Sequence, residues 1–257
     1  MNNDAGNGQT ADVQMPFTAH LAELRNRLIK CTLAVGVAFF ACFAFVDDIF
    51  AILAAPLRRL PIRGLTLIGT AVTEAFFTKM KIAFIAAVIV ASPVLLWQAW
   101  QFIAPGLYEH EKRYSRSFVC VGSLFFIGGA AFCYGIVIQY SLAFLLHRYE
   151  VIEVRPMLQI GDYLSLVSQV VLAFGVMFEL PVLTFFLARV GLIDHRFLIR
   201  HSRYAIIAIA LLAAVLTPPD LVSQVLLMVP LGLLYVVSIV IAYATRFRMN
   251  RRERSVE

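Results

Sequence analysis

LSLVSQVVLAFGVMFELPVLTFFLA, residues 164–188, runs for 25 residues and carries one charge, Glu179. As a helix it rises ~1.5 Å per residue and crosses a hydrocarbon core of ~30 Å. Glu179 falls three residues past the midpoint of the run. Pro181 follows two positions later. It removes one backbone N–H, frees the carbonyl of Met177 and predicts a kink. A central acidic residue costs roughly 2.5–3.5 kcal/mol to insert in a bilayer. Pairing, neutralisation or a polar cavity offsets that cost. We read Glu179 as the mark of a polar concavity. The alternative is a neutral carboxylic acid bonded to a neighbouring helix.

The rest of the chain has the same character. It has 257 residues, 61% hydrophobic and 15% charged. That composition excludes an ordinary soluble domain. Long continuous runs exclude a β-barrel, whose segments alternate over about ten residues. The expectation is an all-α polytopic membrane protein. Its net charge of +6 is accounted for by basic loops on one membrane face, without nucleic acid. The four cysteines, Cys31, Cys42, Cys120 and Cys133, lie in or beside apolar runs and form no C-x-x-C, so they read as packing residues.

Taken in order, residues 1–15 are a polar leader, expected to be disordered. A membrane domain follows over residues 16–245, then a basic tail over 246–257. Residues 16–30 predict an amphipathic surface helix, with Leu21, Leu24 and Leu28 on one stripe and Thr18 as its cap. It leads into the first of six spans, near 28–46, 82–100, 118–146, 164–188, 205–216 and 221–243. The first span follows a long polar stretch, so we expect an uncleaved anchor. The fifth is short enough to be re-entrant. Trp97 and Trp100 are expected at a headgroup interface, and Lys79 and Lys81 are expected to snorkel at the other end of their span. Six crossings put both ends on one side. That side carries 15 of the 22 lysines and arginines, so the positive-inside rule makes both termini cytoplasmic.

No catalytic set emerges, and we expect no enzyme. His110-Glu111 begins an H-E-x-x-H pattern, but position 114 is tyrosine. There is no phosphate-binding loop and no G-x-S-x-G, and neither metal nor cofactor is implied. The unusual feature is acids on a basic face: Glu23, Glu109 and Glu111. Carboxylates near a membrane hold guanidinium groups bidentately. They also form local salt bridges, here Glu23 with Arg27 and Glu111 with Lys112 or Arg113. The residues leave both readings open.

Four separated motifs resemble one family. HLAELRNRL (20–28), FIAPGLYEHEKR (102–113), AFGVMFELPV (173–182) and AVLTPPD (214–220) are similar to those of TatC, the multispanning receptor subunit of the twin-arginine translocase. The resemblance covers residues 16 to 245. It implies a glove-like bundle in the cell inner membrane, with helices 5 and 6 short. It implies binding of twin-arginine signal peptides of folded precursors by Glu23 and Glu111, with Arg25 and Phe102 shaping the site. It implies that Glu179 meets the inserted signal peptide and the partner subunits TatA and TatB. Pro56 and the 47–73 loop would form a periplasmic cap. A homo-oligomeric receptor complex and use of the proton-motive force are also implied. Glu109 and Ala71 depart from the family pattern. Glu109 stands where relatives often carry a basic residue, and Ala71 where some carry an acid. The competing function is a proton-coupled small-solute transporter relaying through Glu179. It calls for repeat symmetry and several polar midplane residues, and the sequence displays neither.

Overall fold

The structure, a computed structural model, describes residues 17–59, 66–103, 115–151, 157–217 and 221–253. Five helical stretches are long and apolar enough to cross a membrane, and Ser202–Leu216 is a shorter sixth. Helix α1, Phe17–Ala44, joins the amphipathic segment and the first span without a break. The chain turns at Phe45 into α2, Val46–Arg58, whose first turn carries Asp47 and Asp48, where the helix dipole favours negative charge. Strand β1, Thr66–Ile68, leads to α3, Glu74–Ile103. The third span is α4, Ser115–Phe132, one π-helical turn, Cys133–Val137, and α5, Ile138–Val151. Strand β2, Met157–Gln159, pairs parallel with β1, Thr66 opposite Met157 and Ile68 opposite Gln159.

The run that opened the analysis is two helices. Helix α6, Ile160–Met177, ends at Phe178, and α7 covers Glu179–Arg189. The break falls three residues before Pro181, the first turn being where proline is tolerated. A Schellman turn ends α7: the Gly191 N–H bonds the Ala188 carbonyl at 3.2 Å and the Leu192 N–H that of Leu187 at 3.0 Å. Gly191 supplies the positive φ this needs, 79°. A single turn α8, His195–Arg200, precedes α9, Ser202–Leu216. Helix α10, Leu221–Glu253, is 33 residues long. The sixth helix is therefore not short: its apolar stretch alone, Leu221–Phe247, is 27 residues, and the basic residues beyond extend it. The fifth is short, 15 residues, and lies against α10.

Only 11% of the apolar window of α1 is buried, against 44% for the α6–α7 unit. The latter is thus the centre of the bundle and α1 its flank. Leu164, Val167 and Phe174 of α6 are fully buried with Ile82 of α3, Cys133 of the π turn and Leu231 of α10. At the α3 C-terminal end Trp100 packs into the bundle. It is buried, stacked on Phe118 at 4.5 Å and edge-on to Phe186 at 5.4 Å. Three helices, α3, α4 and α7, meet around this aromatic cluster and bury its ring area.

Candidate functional site

At the end of the bundle where α1 begins, Glu23 and Arg27 sit one turn apart on α1. Arg27 Nε donates to Glu23 Oε1 at 3.0 Å, and Nη2 donates to the same oxygen. The other arm crosses to α3: Nη1 donates to Gln101 Oε1 at 2.6 Å and to Gln98 Oε1 at 3.4 Å. The local salt bridge anticipated from the i, i+4 spacing is therefore present, and it is also an interhelical strut. Every bond falls on Oε1, so Glu23 Oε2 has no partner among the described residues. The Glu23 side chain keeps 22% of its surface exposed. Phe102, half-buried, follows Gln101 at the end of α3. Arg25 is exposed, and two helix positions turn it away from Glu23. It makes no ion pair among the described residues. Glu109 and Glu111 lie outside the described residues. Sequence reasoning missed Gln98 and Gln101. Their signal was two amides three residues apart at the end of an otherwise apolar helix.

In mid-bundle, Glu179 opens α7 with 6% exposure. Neither carboxylate oxygen has a hydrogen-bond partner among the described residues. It rests against Gly122 of α4: a Cβ placed there would lie 3.0 Å from Oε2 and 3.3 Å from Leu96 Cδ1. The carboxyl is thus buried without a hydrogen-bond partner among the described residues. An orphaned buried polar group costs about 1–3 kcal/mol, more if charged. The site favours any incoming group that brings a donor.

At the opposite end of the bundle from Glu23, Pro56 has a definite consequence. It has no N–H, so the Ile52 carbonyl loses its helical donor. Tyr134 of the π turn supplies one, its hydroxyl donating to Ile52 O at 2.6 Å. Tyr163 of α6 donates to Leu53 O at 3.1 Å. The two phenols pin α2 over the bundle. Beside them Glu74 accepts from the N–H groups of Thr70 at 2.7 Å, Ala71 at 3.2 Å and Gly161 at 2.8 Å, and from the Thr70 hydroxyl at 3.0 Å. Gln159 donates to Thr70 Oγ1 at 2.8 Å. Ala71 thus contributes its backbone to a carboxylate hub, and Glu74 ties the start of α3 to the start of α6.

At the α7–α8 turn, Asp194 lies 2.6 Å from His195 Nδ1 and pairs with Arg246 of α10. Burial pushes its carboxyl up, but Arg246 and His195 outweigh this and hold it below the ordinary carboxylate range. The Tyr235 hydroxyl donates to Leu198 O at 2.8 Å and completes the seat of α8 on α10. Among the described residues no group of three or more His, Cys, Asp or Glu is placed to hold a metal ion.

Comparison with known proteins matches this architecture. The model of the family Sec-independent protein translocase protein (TatC) matches residues 19–230. The chain is similar to the Sec-independent protein translocase protein TatC of Desulforapulum autotrophicum, 42% identical over 88% of this chain and 83% of that one. It is 44% identical to the protein of the same name from Campylobacter jejuni, over 86% and 91%. A crystal structure of the twin arginine translocase receptor TatC superposes with a TM-score of 0.82 at 38% identity, covering 88% of this chain and 99% of that one.

Proposed function

Since this chain belongs to the TatC family of Sec-independent protein translocase proteins, we propose that it receives twin-arginine signal peptides at the end of the bundle where α1 begins. The observation that carries this reading is the half-used carboxylate of Glu23. Arg27 holds it in place through Oε1 and is itself braced by Gln98 and Gln101, and Oε2 is left for a guest. A guanidinium takes a carboxylate with a planar fork that an ammonium lacks, so an arginine is preferred to a lysine. Glu111 takes the second arginine of the pair. Phe102 offers its ring beside them, and Arg25 shapes the approach. Each charge-assisted contact contributes roughly 1.5–3 kcal/mol before losses from desolvation.

The apolar part of the signal then lies against the bundle. Glu179, lacking a partner inside the chain, meets a polar group of the signal or of the single-span subunits TatA and TatB. A bundle of six crossings whose centre is packed with side chains has no room for folded cargo. This subunit therefore organises partners, in a homo-oligomeric complex of the inner membrane powered by the proton-motive force, with both termini cytoplasmic.

A photoreactive residue at position 102 in membrane vesicles tests the receptor role. Two precursors differing only as Arg-Arg or Lys-Lys are offered. The crosslink is expected with Arg-Arg and lost with Lys-Lys. Glu23→Ala and Glu111→Ala each weaken precursor binding at least roughly tenfold, one charge-assisted contact, while Glu179→Ala leaves binding intact and blocks a later step. A crosslink indifferent to the pair, or equal affinity in all three variants, overturns the assignment.

A further inference from the structure

Helices α1 and α3 run antiparallel and touch along a seam of Cys42, Ala83 and Ala87 with Val35 and Phe39 beside it. On the outer side of this seam lies a trough of about 750 Å³, lined by Val35, Gly36 and Phe39 of α1 and Phe77, Phe84 and Val88 of α3. Its walls are almost wholly apolar. A Cβ at Gly36 would meet nothing within 4 Å, so the floor is open there. From Phe77 to Val88 the trough follows eleven helical steps, ~16 Å. That is close to the depth of one leaflet, half of the ~30 Å core.

One cation borders it. Lys79 is neutralised by Asp47 at the α1–α2 corner. Lys81, two residues or ~3 Å further along α3, is exposed on the trough and has no ion-pair partner among the described residues. A lysine at that depth extends its stem toward the headgroups and seeks an anion there. An apolar channel one leaflet deep with an unpaired ammonium near its shallow end is the complement of a phospholipid. A single-span helix fits it poorly, because that needs ~20 residues and both leaflets.

We propose that the α1–α3 trough is a lipid site that takes one acyl chain of an anionic phospholipid, with the phosphate on Lys81 Nζ. The lipid belongs to the leaflet on the α2 side. It lies along the α1–α3 seam, the main support of α1 among the described residues, and so makes the lipid part of the α1–α3 joint.

The full chain is reconstituted in phosphatidylcholine vesicles containing a small fraction of phosphatidylglycerol, and either lipid carries a photoreactive group midway along one acyl chain. Labelling of peptides covering 31–39 and 77–88 is expected to favour phosphatidylglycerol roughly fivefold, the contribution of one basic residue near an anionic surface. Lys81→Gln brings labelling down to the phosphatidylcholine level, whereas Lys79→Gln leaves the preference unchanged. Gly36→Phe fills the trough and removes labelling by both lipids. Equal labelling by the two lipids in the parent chain overturns the proposal. So does a preference that survives Lys81→Gln, or a crosslink between two copies through α1 in place of lipid.

Discussion

Three glycines of α4 differ in what a methyl group would meet, and the difference is a test of the packing around Glu179. At Gly129 a Cβ would lie 2.5 Å from Phe178 Cγ and 2.8 Å from the Phe174 carbonyl oxygen, a backbone atom that cannot step aside. At Gly122 the nearest atoms are the ends of flexible side chains, Glu179 Oε2 at 3.0 Å and Leu96 Cδ1 at 3.3 Å. At Gly128 nothing lies within 4 Å. Gly129→Ala is therefore expected to cost about 1–3 kcal/mol, or ~2–12 °C in thermal unfolding in detergent. Gly128→Ala should unfold at or slightly above the parent temperature. Gly122→Ala should fold normally yet transport like a Glu179 variant, because the methyl displaces the carboxyl. Normal transport by Gly122→Ala would show that the resting place of the carboxyl does not matter. At this scale the sequence was informative about which residue is odd and silent about its neighbours. Glu179 stood out as the one charge in its run. Gly122 and Leu96, from two other helices, could not be read from it. Likewise the i, i+4 spacing showed the Glu23–Arg27 pair, whereas Gln98 and Gln101 lie 71 and 74 residues away from Arg27.

Elements are where patterns of apolar residues did most and punctuation did least. Continuous runs placed the five long spans, since a bilayer demands about twenty apolar residues in a row, and left the short fifth ambiguous. Breaks were less legible. The kink assigned to Pro181 falls at Phe178, whose backbone stays in the right-handed helical region, and residues 246–253 of the basic tail continue α10. The sequence also could not show which tyrosine answers the freed carbonyl. The short helix α8 was likewise hidden, since six residues carry too little periodicity to detect. Its seat depends on Asp194 bridging His195 and Arg246. A carboxyl held below its ordinary value stabilises the folded state above the unfolded pKa, about 4, and loses that contribution as pH falls through the folded value. Thermal unfolding in detergent should therefore show an acid-side loss below about pH 4 that shrinks in Asp194→Asn and in Arg246→Gln. An identical acid limb in all three proteins would remove the clamp from the account.

For the molecule as a whole, the governing fact is that its most buried unit, α6–α7, comes fourth among the crossings, and its first crossing is the least buried. An even number of crossings and the distribution of basic residues give the proposed topology a direct check. Reporters fused to either terminus should be active only in the cytoplasm, and one inserted at residues 60–65 only on the far side. Opposite signals from the two termini would mean that α9 fails to cross. The α2 cap shows what this chain order implies in time. Pro56 strips the Ile52 carbonyl of its partner as soon as α2 is made. The replacement donor is encoded 82 residues later, in Tyr134, and the second latch, from Tyr163 to the Leu53 carbonyl, 110 residues later. At synthesis rates of about 5–20 residues per second, that delay is roughly 4 to 20 s. Through that interval water must satisfy the Ile52 carbonyl, so α2 has to wait at the membrane surface. The lid is made early and latched late, after the third and fourth crossings have arrived to hold it.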